Sequence, residues 1–163
     1  MTGTNIIYLT WEEMDQLHRE IAGQIVNEGF VPEIIIGILR CGMVPATHLA
    51  YLLEINSLGT IFVKTTPNDE ILAKKNCIPE VLKTTPSELI TGKRVLLVDS
   101  VMASGTTMNL AIDTIIDDQA AELKTVVLVD WPNSPYELKY GKRPTIDFIG
   151  TTVGTWPSFP WER

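Results

Sequence analysis

The segment KRVLLVDSVMASGTTMNLAIDTI, beginning at Lys93, ends an apolar run with an acid and then sets down a cluster of small residues before helical periodicity resumes. Asp99 closes the run. Ala103, Ser104 and Gly105 let backbone approach a ligand closely, and Thr106 and Thr107 add hydroxyls beside the free N–H groups of a starting helix. Such a corner suits an anion, because exposed amides converge where the helix carries positive partial charge. Asp99 would repel a phosphate, so it is read as the acceptor for hydroxyls of an attached sugar. A plain strand-to-helix turn also needs a glycine and a capping hydroxyl, and the pattern alone leaves both readings open. The Gly-Lys-Ser/Thr ending of a P-loop and the three-glycine dinucleotide fingerprint are both missing.

The elements that must hold this corner are readable from periodicity. Thr10 caps TWEEMDQLHREIAGQIVNEG, whose apolar residues Met14, Leu17, Ile21, Ile25 and Val26 predict an amphipathic helix ending near Gly29. EIIIGIL, RVLLVD and KTVVLVDW are short apolar runs of the kind covered on both faces, and LGTIFVKT and TIDFIGT are further strand candidates. VPATHLAYLLEI and TTMNLAIDTIIDDQAA read as the intervening helices. Between Thr65 and Leu89 the pattern dissolves, which fits either a functional loop or a meandering sheet edge. Alternating strands and helices predict an α/β fold: one domain over residues 1–163 with a mostly parallel twisted sheet flanked by helices. Ligands in such sheets bind at the carboxyl ends of strands, where the unusual residues fall.

Composition narrows the partners. A net charge of −7 opposes a large footprint on nucleic acid, while a small phosphorylated ligand is still compatible. No apolar run is long enough to span a bilayer, and the N-terminus lacks a basic start followed by an apolar block, so a cytoplasmic location without membrane partners is expected. Cys41 and Cys77 are too few and too far apart for a disulfide framework or a zinc site. His18 and His48 fall within helical patterns and are read as structural.

VLLVDSVMASGTT resembles the phosphoribosyl-diphosphate signature of the type I phosphoribosyltransferases. IIIGILRCGMVPATHLA is similar to that family's diphosphate loop, and GTWPSFPWER to the tail of the short bacterial and archaeal xanthine-guanine and hypoxanthine enzymes. The resemblance implies a small hood built from the terminal segments. It also implies transfer of a phosphoribosyl group from magnesium-bound phosphoribosyl diphosphate to a nucleobase, by an enzyme that assembles as a homo-oligomer.

Carried over by position, Ala103, Ser104, Gly105, Thr106 and Thr107 match the 5′-phosphate pocket. Asp99 matches the first of two acids on the ribose hydroxyls and on Mg2+. Ser100 stands where the second acid is usual; its hydroxyl can still hydrogen-bond the ribose but carries no charge for the metal, and uracil phosphoribosyltransferases also lack an acid there. Ala103 stands where 6-oxopurine enzymes commonly carry an aspartate near N7. Arg40, Cys41 and Gly42 match the diphosphate loop, with Arg40 offering a charge-assisted contact and Gly42 a tight turn; a surface cation at a strand end is the alternative for Arg40. Trp156 aligns with an aromatic against the base. Asp130 falls where those enzymes use a lysine, so an acceptor replaces a donor and an amino-bearing base is expected, unless Asp130 caps the turn DWPNSP or Trp131 shifts the alignment. These departures keep a second reading open: a nucleotide-binding regulator or inactive homologue. A receiver-like signalling domain would need an acidic cluster and a late lysine that the chain does not supply.

Overall fold

A computed structural model describes residues 6–64 and 79–163. Chain order is β1 (Ile6–Tyr8), α1 (Trp11–Glu28), β2 (Ile34–Leu39), α2 (Met43–Leu52), β3 (Leu58–Lys64), β4 (Glu80–Thr84), β5 (Arg94–Met102), α3 (Thr106–Asp117), β6 (Glu122–Asp130), β7 (Phe148–Thr152) and β8 (Trp156–Ser158). Six strands form the main sheet in the order β4-β3-β2-β5-β6-β7, with every neighbouring pair parallel except β3–β4. The mostly parallel α/β sheet is therefore as expected, and β1 pairs with β8 as a separate two-stranded hood of terminal segments.

Local chemistry accounts for the elements. The Thr10 hydroxyl accepts from the Glu13 N–H at 3.1 Å while the Glu13 carboxylate accepts from the Thr10 N–H at 2.7 Å, a reciprocal cap that starts α1. Gly29, at φ 77°, ends it in the left-handed conformation that favours glycine. Alternate residues of the central strands enter two cores. Ile35, Leu96, Val98, Val126 and Leu128 pack with Met14, Ile21 and Leu49 of α1 and α2, whereas Ile34, Ile36, Val95, Leu97 and Val127 pack with Met108, Ala111 and Ile115 of α3. Helices thus cover both faces, which is why these strands read as unbroken apolar runs.

Of the unpatterned excursion, residues 65–78 lie outside the described residues, as does Cys77. The part that follows is an antiparallel edge strand, β4, so the sheet-edge reading fits what is described. β5 runs three residues past Asp99 and stays in register with β6 to the pair Met102 and Asp130. Strand order reverses between β2 and β5, the neighbours from which the chain departs in opposite directions. Their carboxyl ends flank the crevice where this architecture binds ligands.

Candidate functional site

Two adjoining clefts occupy that edge. A narrow one of about 50 Å³ is lined by Asp99, Val101, Met102, Ala103, Ser104, Gly105, Thr107, Met108 and Trp156. A wider one of about 840 Å³ includes Arg40, Cys41, Trp156, Trp161, Glu162 and Arg163. Trp156 lines both and so stands between them.

The narrow cleft has the electrostatics of an anion site. No side chain caps α3, and its first main-chain bond runs from the Asn109 N–H to the Gly105 carbonyl at 2.9 Å. The Thr107 and Met108 amides have no main-chain acceptor among the described residues, so the helix end presents unpaired donors toward the cleft. The Asp99 carboxylate lies at the same cleft and accepts the Ser100 N–H at 2.7 Å, which holds one of its oxygens in place.

Not every residue singled out in the sequence faces this space. The Ser100 side chain is buried and outside the lining, so its visible contribution is the amide that orients Asp99. Thr106 is also buried: its hydroxyl shares a hydrogen bond with Ser104 Oγ at 3.2 Å and accepts the Lys139 N–H at 3.0 Å. That hydroxyl ties the loop to the β6–β7 connection. Gly105 takes φ 94°, and a Cβ there would stand 2.6 Å from Pro144 Cδ. The space read from the sequence as room for a ligand is used on one side by the chain itself.

At the wider cleft, Arg40 is exposed and follows β2 through a cis Leu39–Arg40 peptide. Gly42 needs no unusual torsion, since its φ is −63°. It is required instead by close approach, because a Cβ would meet Ile38 O at 2.5 Å and Val98 O at 2.7 Å. The loop therefore lies directly on the end of β2 and the middle of β5. Cys41 Sγ donates to Glu162 Oε1 at 3.6 Å, and burial, with the Glu162 and Asp99 carboxylates adding to it, pushes its thiol up to about 11. This cysteine stays protonated and is no nucleophile at neutral pH.

Asp130 ends β6 and is 7% exposed. Its Oδ1 accepts a short hydrogen bond from Arg143 Nη2. The same guanidinium donates to the Met102 carbonyl at 3.4 Å and the Ala103 carbonyl at 3.3 Å. Arg143 was not singled out in the sequence, where it sits in the turn-rich stretch between β6 and β7. An acid at a strand end in need of a counterion was the only signal for it. The amino-base expectation assumed an unpaired Asp130; the structure supplies a partner. Trp131, next in sequence, packs edge-on against Trp156 with ring centroids 5.5 Å apart, so β6 and β8 place an aromatic wall beside that ion pair.

Outside both clefts, the His18 and His48 rings lie 4.6 Å apart between α1 and α2 and line a separate cavity of about 740 Å³ with Asp15 and Tyr51.

Comparison with known proteins decides the family. Residues 7–161 match the phosphoribosyl transferase domain. The chain belongs to that family. A xanthine-guanine phosphoribosyltransferase of Cereibacter sphaeroides is 28% identical over 95% of this chain and 86% of its own length. A bifunctional protein PyrR of Citrifermentans bemidjiense is 29% identical over 93% and 85%. The crystal structure of a purine phosphoribosyltransferase from Pyrococcus horikoshii superposes with a TM-score of 0.77 at 27% identity, covering 97% of this chain and 94% of that one. The chain is a phosphoribosyltransferase, an enzyme of the pentosyl-transferring class. Among the described residues, no helix is long and apolar enough to cross a membrane.

Proposed function

We propose that this phosphoribosyltransferase transfers the phosphoribosyl group of phosphoribosyl diphosphate to a purine-type base or related heterocycle, giving a nucleoside monophosphate and diphosphate. The observation that carries the reading is the uncapped start of α3 opening into the same cleft as Asp99, with Arg40 at the cleft next to it.

In this reading the amides of Gly105, Thr107 and Met108, with the Ser104 and Thr107 hydroxyls and the small Ala103, hold the 5′-phosphate, while Thr106 braces the loop from behind. Asp99, oriented by the Ser100 amide, accepts from the ribose hydroxyls. Arg40 and the backbone of Cys41 and Gly42 receive the diphosphate, where a fixed cation offsets the charge that grows as the C1–O bond lengthens. Trp156 lies against the base, between the two clefts, and so aligns the attacking nitrogen with C1.

The donor set supports magnesium held chiefly by substrate oxygens. Asp99 is a carboxylate at the narrow cleft, and the described residues contain no cluster of three or more His, Cys, Asp or Glu able to cage a metal. Magnesium suits such a site because it keeps several waters and binds through few carboxylates plus substrate phosphates. When bound it supplies charge neutralisation on the leaving diphosphate.

A second reading is favoured by one named relative, the bifunctional PyrR, and by the departures at Ser100, Ala103, Cys41 and Asp130: a nucleotide-binding regulator that keeps the phosphate cradle without turnover. Both are tested by measuring magnesium-dependent release of diphosphate from phosphoribosyl diphosphate across a panel of bases. Release with at least one purine is expected. Tight binding of a nucleoside monophosphate with no release on any base would replace the transferase reading by the regulator.

A further inference from the structure

The connection between β6 and β7 is fastened along its length to the loop between β5 and α3. The Lys139 N–H donates to Thr106 Oγ1 at 3.0 Å, and Asn109 Nδ2 donates to the Tyr140 and Lys142 carbonyls at 2.7 and 2.8 Å. Pro144 occupies the place of a Gly105 side chain. Arg143 completes the attachment: its Nε donates to the Ala103 carbonyl at 3.4 Å, and its Nη2 donates to the Ala103 carbonyl at 3.3 Å, the Met102 carbonyl at 3.4 Å and the Asp130 carboxylate. The Met102 carbonyl also accepts the Trp131 N–H at 2.9 Å, whereas the Ala103 carbonyl accepts from Arg143 alone among the described residues. Ala103 lines the narrow cleft and Arg143 lines neither cleft, so the carbonyl that the guanidinium holds is directed out of the ligand space. That direction matters to an anion. A carbonyl oxygen facing a phosphate repels it, and a nest binds only where amides converge and the carbonyls between them turn away.

We propose that Asp130 and Arg143 are positioning residues for the phosphate: the carboxylate fixes the guanidinium, and the guanidinium holds the Ala103 carbonyl out of the cleft so that the amides at the start of α3 converge on the anion. The inference rests on the phosphate-site reading above. Asp130 falls by sequence position at the base, yet it acts through Arg143 on affinity for the phosphate and leaves the choice of base alone. The shape of the cation carries the effect. One planar fork reaches a carboxylate and a carbonyl together, which the point charge of an ammonium cannot do. The charge itself is largely matched, because the same Nη2 that reaches the loop is bonded to Asp130, whose side chain keeps only 11% of its surface accessible.

Binding tests this without turnover. Isothermal calorimetry would compare ribose 5-phosphate, inorganic diphosphate with magnesium, inosine monophosphate and adenosine monophosphate on the intact chain and on Arg143→Met, Arg143→Lys and Asp130→Asn. Each variant should weaken ribose 5-phosphate by about tenfold, the order expected when charge-assisted hydrogen bonds that orient a site are lost. Diphosphate affinity should stay as it is, and the ratio between the two nucleotides should change by less than about twofold, since that factor is well under one hydrogen bond. A role of charge alone gives another pattern: Arg143→Lys would bind like the wild type, and Asp130→Asn would bind ribose 5-phosphate more tightly because a negative charge beside the anion is gone. That pattern overturns the proposal. So does a shifted nucleotide ratio, or diphosphate affinity lost in step with ribose 5-phosphate, as a general loosening of the fold would give. The wild type supplies a measurement that needs no variant to fold: saturation with ribose 5-phosphate should move the Arg143 Nε–H signal in 15N NMR spectra and slow its exchange with solvent, and an unmoved signal sinks the proposal. A wild type that binds no ribose 5-phosphate removes the phosphate site itself, whereas a wild type that binds it beside unaffected variants removes only the role given to Asp130 and Arg143.

Discussion

At the scale of single residues, Gly105 does two things at once. It takes a left-handed torsion, and it leaves the gap into which Pro144 fits. Read from the sequence alone, Gly105→Val probes ligand space in an intact fold. With Pro144 Cδ 2.6 Å from the Cβ position, the same substitution has to displace the Arg143–Pro144 segment as well. A β-branched residue at φ 94° adds its own strain, of about 1–3 kcal/mol. The expected outcome is a lower denaturation midpoint together with lost ribose 5-phosphate binding; an unchanged midpoint in a urea titration would show that the β6–β7 connection yields freely. The same residue-level view separates the two halves of Ser100: its side chain is buried, and its amide fixes Asp99.

Between elements, the packing of α1 on α2 carries a pH dependence. Burial, reinforced by the neighbouring His48 imidazole, lowers His18 to about 4 from an ordinary 6.5. Asp15, which lies 3.5 Å from His48 Nε2 across the same interface, opposes that shift. A depressed folded value means that between about 4 and 6.5 the unfolded chain binds more protons than the folded one, so stability rises with pH over that window. The contribution is fully present above the unfolded value and is lost as pH falls toward 4. Replacing His18→Leu should flatten this part of the profile: the gap in unfolding free energy between about pH 7 and pH 5 should be smaller in the variant than in the wild type. Equal gaps would mean that the imidazole reaches solvent as easily in the folded chain. Elements also differ in how legible they are. Thr10 and Gly29 bracket α1 by local capping chemistry that any sequence window contains. β1 and β8 are three residues each and pair across nearly the whole chain, Ile6 with Trp156, so no local pattern marks them.

For the molecule as a whole, the terminal hood closes over the wider cleft through a few specific contacts. Trp161 stacks on Phe159 with centroids 4.7 Å apart, and Arg163 Nη2 donates to the Leu9 carbonyl at 2.6 Å. Glu162 reaches Cys41 on the loop below. Replacing Trp161→Ala removes the stack and should raise amide exchange in β1 and β8 while β5 and β6 stay protected, because among the described residues β1 and β8 pair with each other and not with the main sheet. If the proposed site is right, it should also weaken phosphoribosyl diphosphate more than ribose 5-phosphate, since in that reading only the former extends into the cleft that Trp161 lines. Uniform loss of protection throughout the chain would show instead that the hood and main sheet unfold together.

What the sequence determined by itself is what short-range physics encodes: the capped helix α1, the apolar strands sealed on both faces, and a small-residue corner after Asp99 whose amides suit a phosphate. Tertiary structure alone decided what those groups meet. Arg143 finds Asp130 across a connection with no periodicity, Pro144 fills the gap beside Gly105, and Thr106 turns inward to brace that connection. A hydrogen bond or a close contact depends on where two distant pieces of chain are brought to rest, and periodicity specifies the face of an element without specifying what is packed against it.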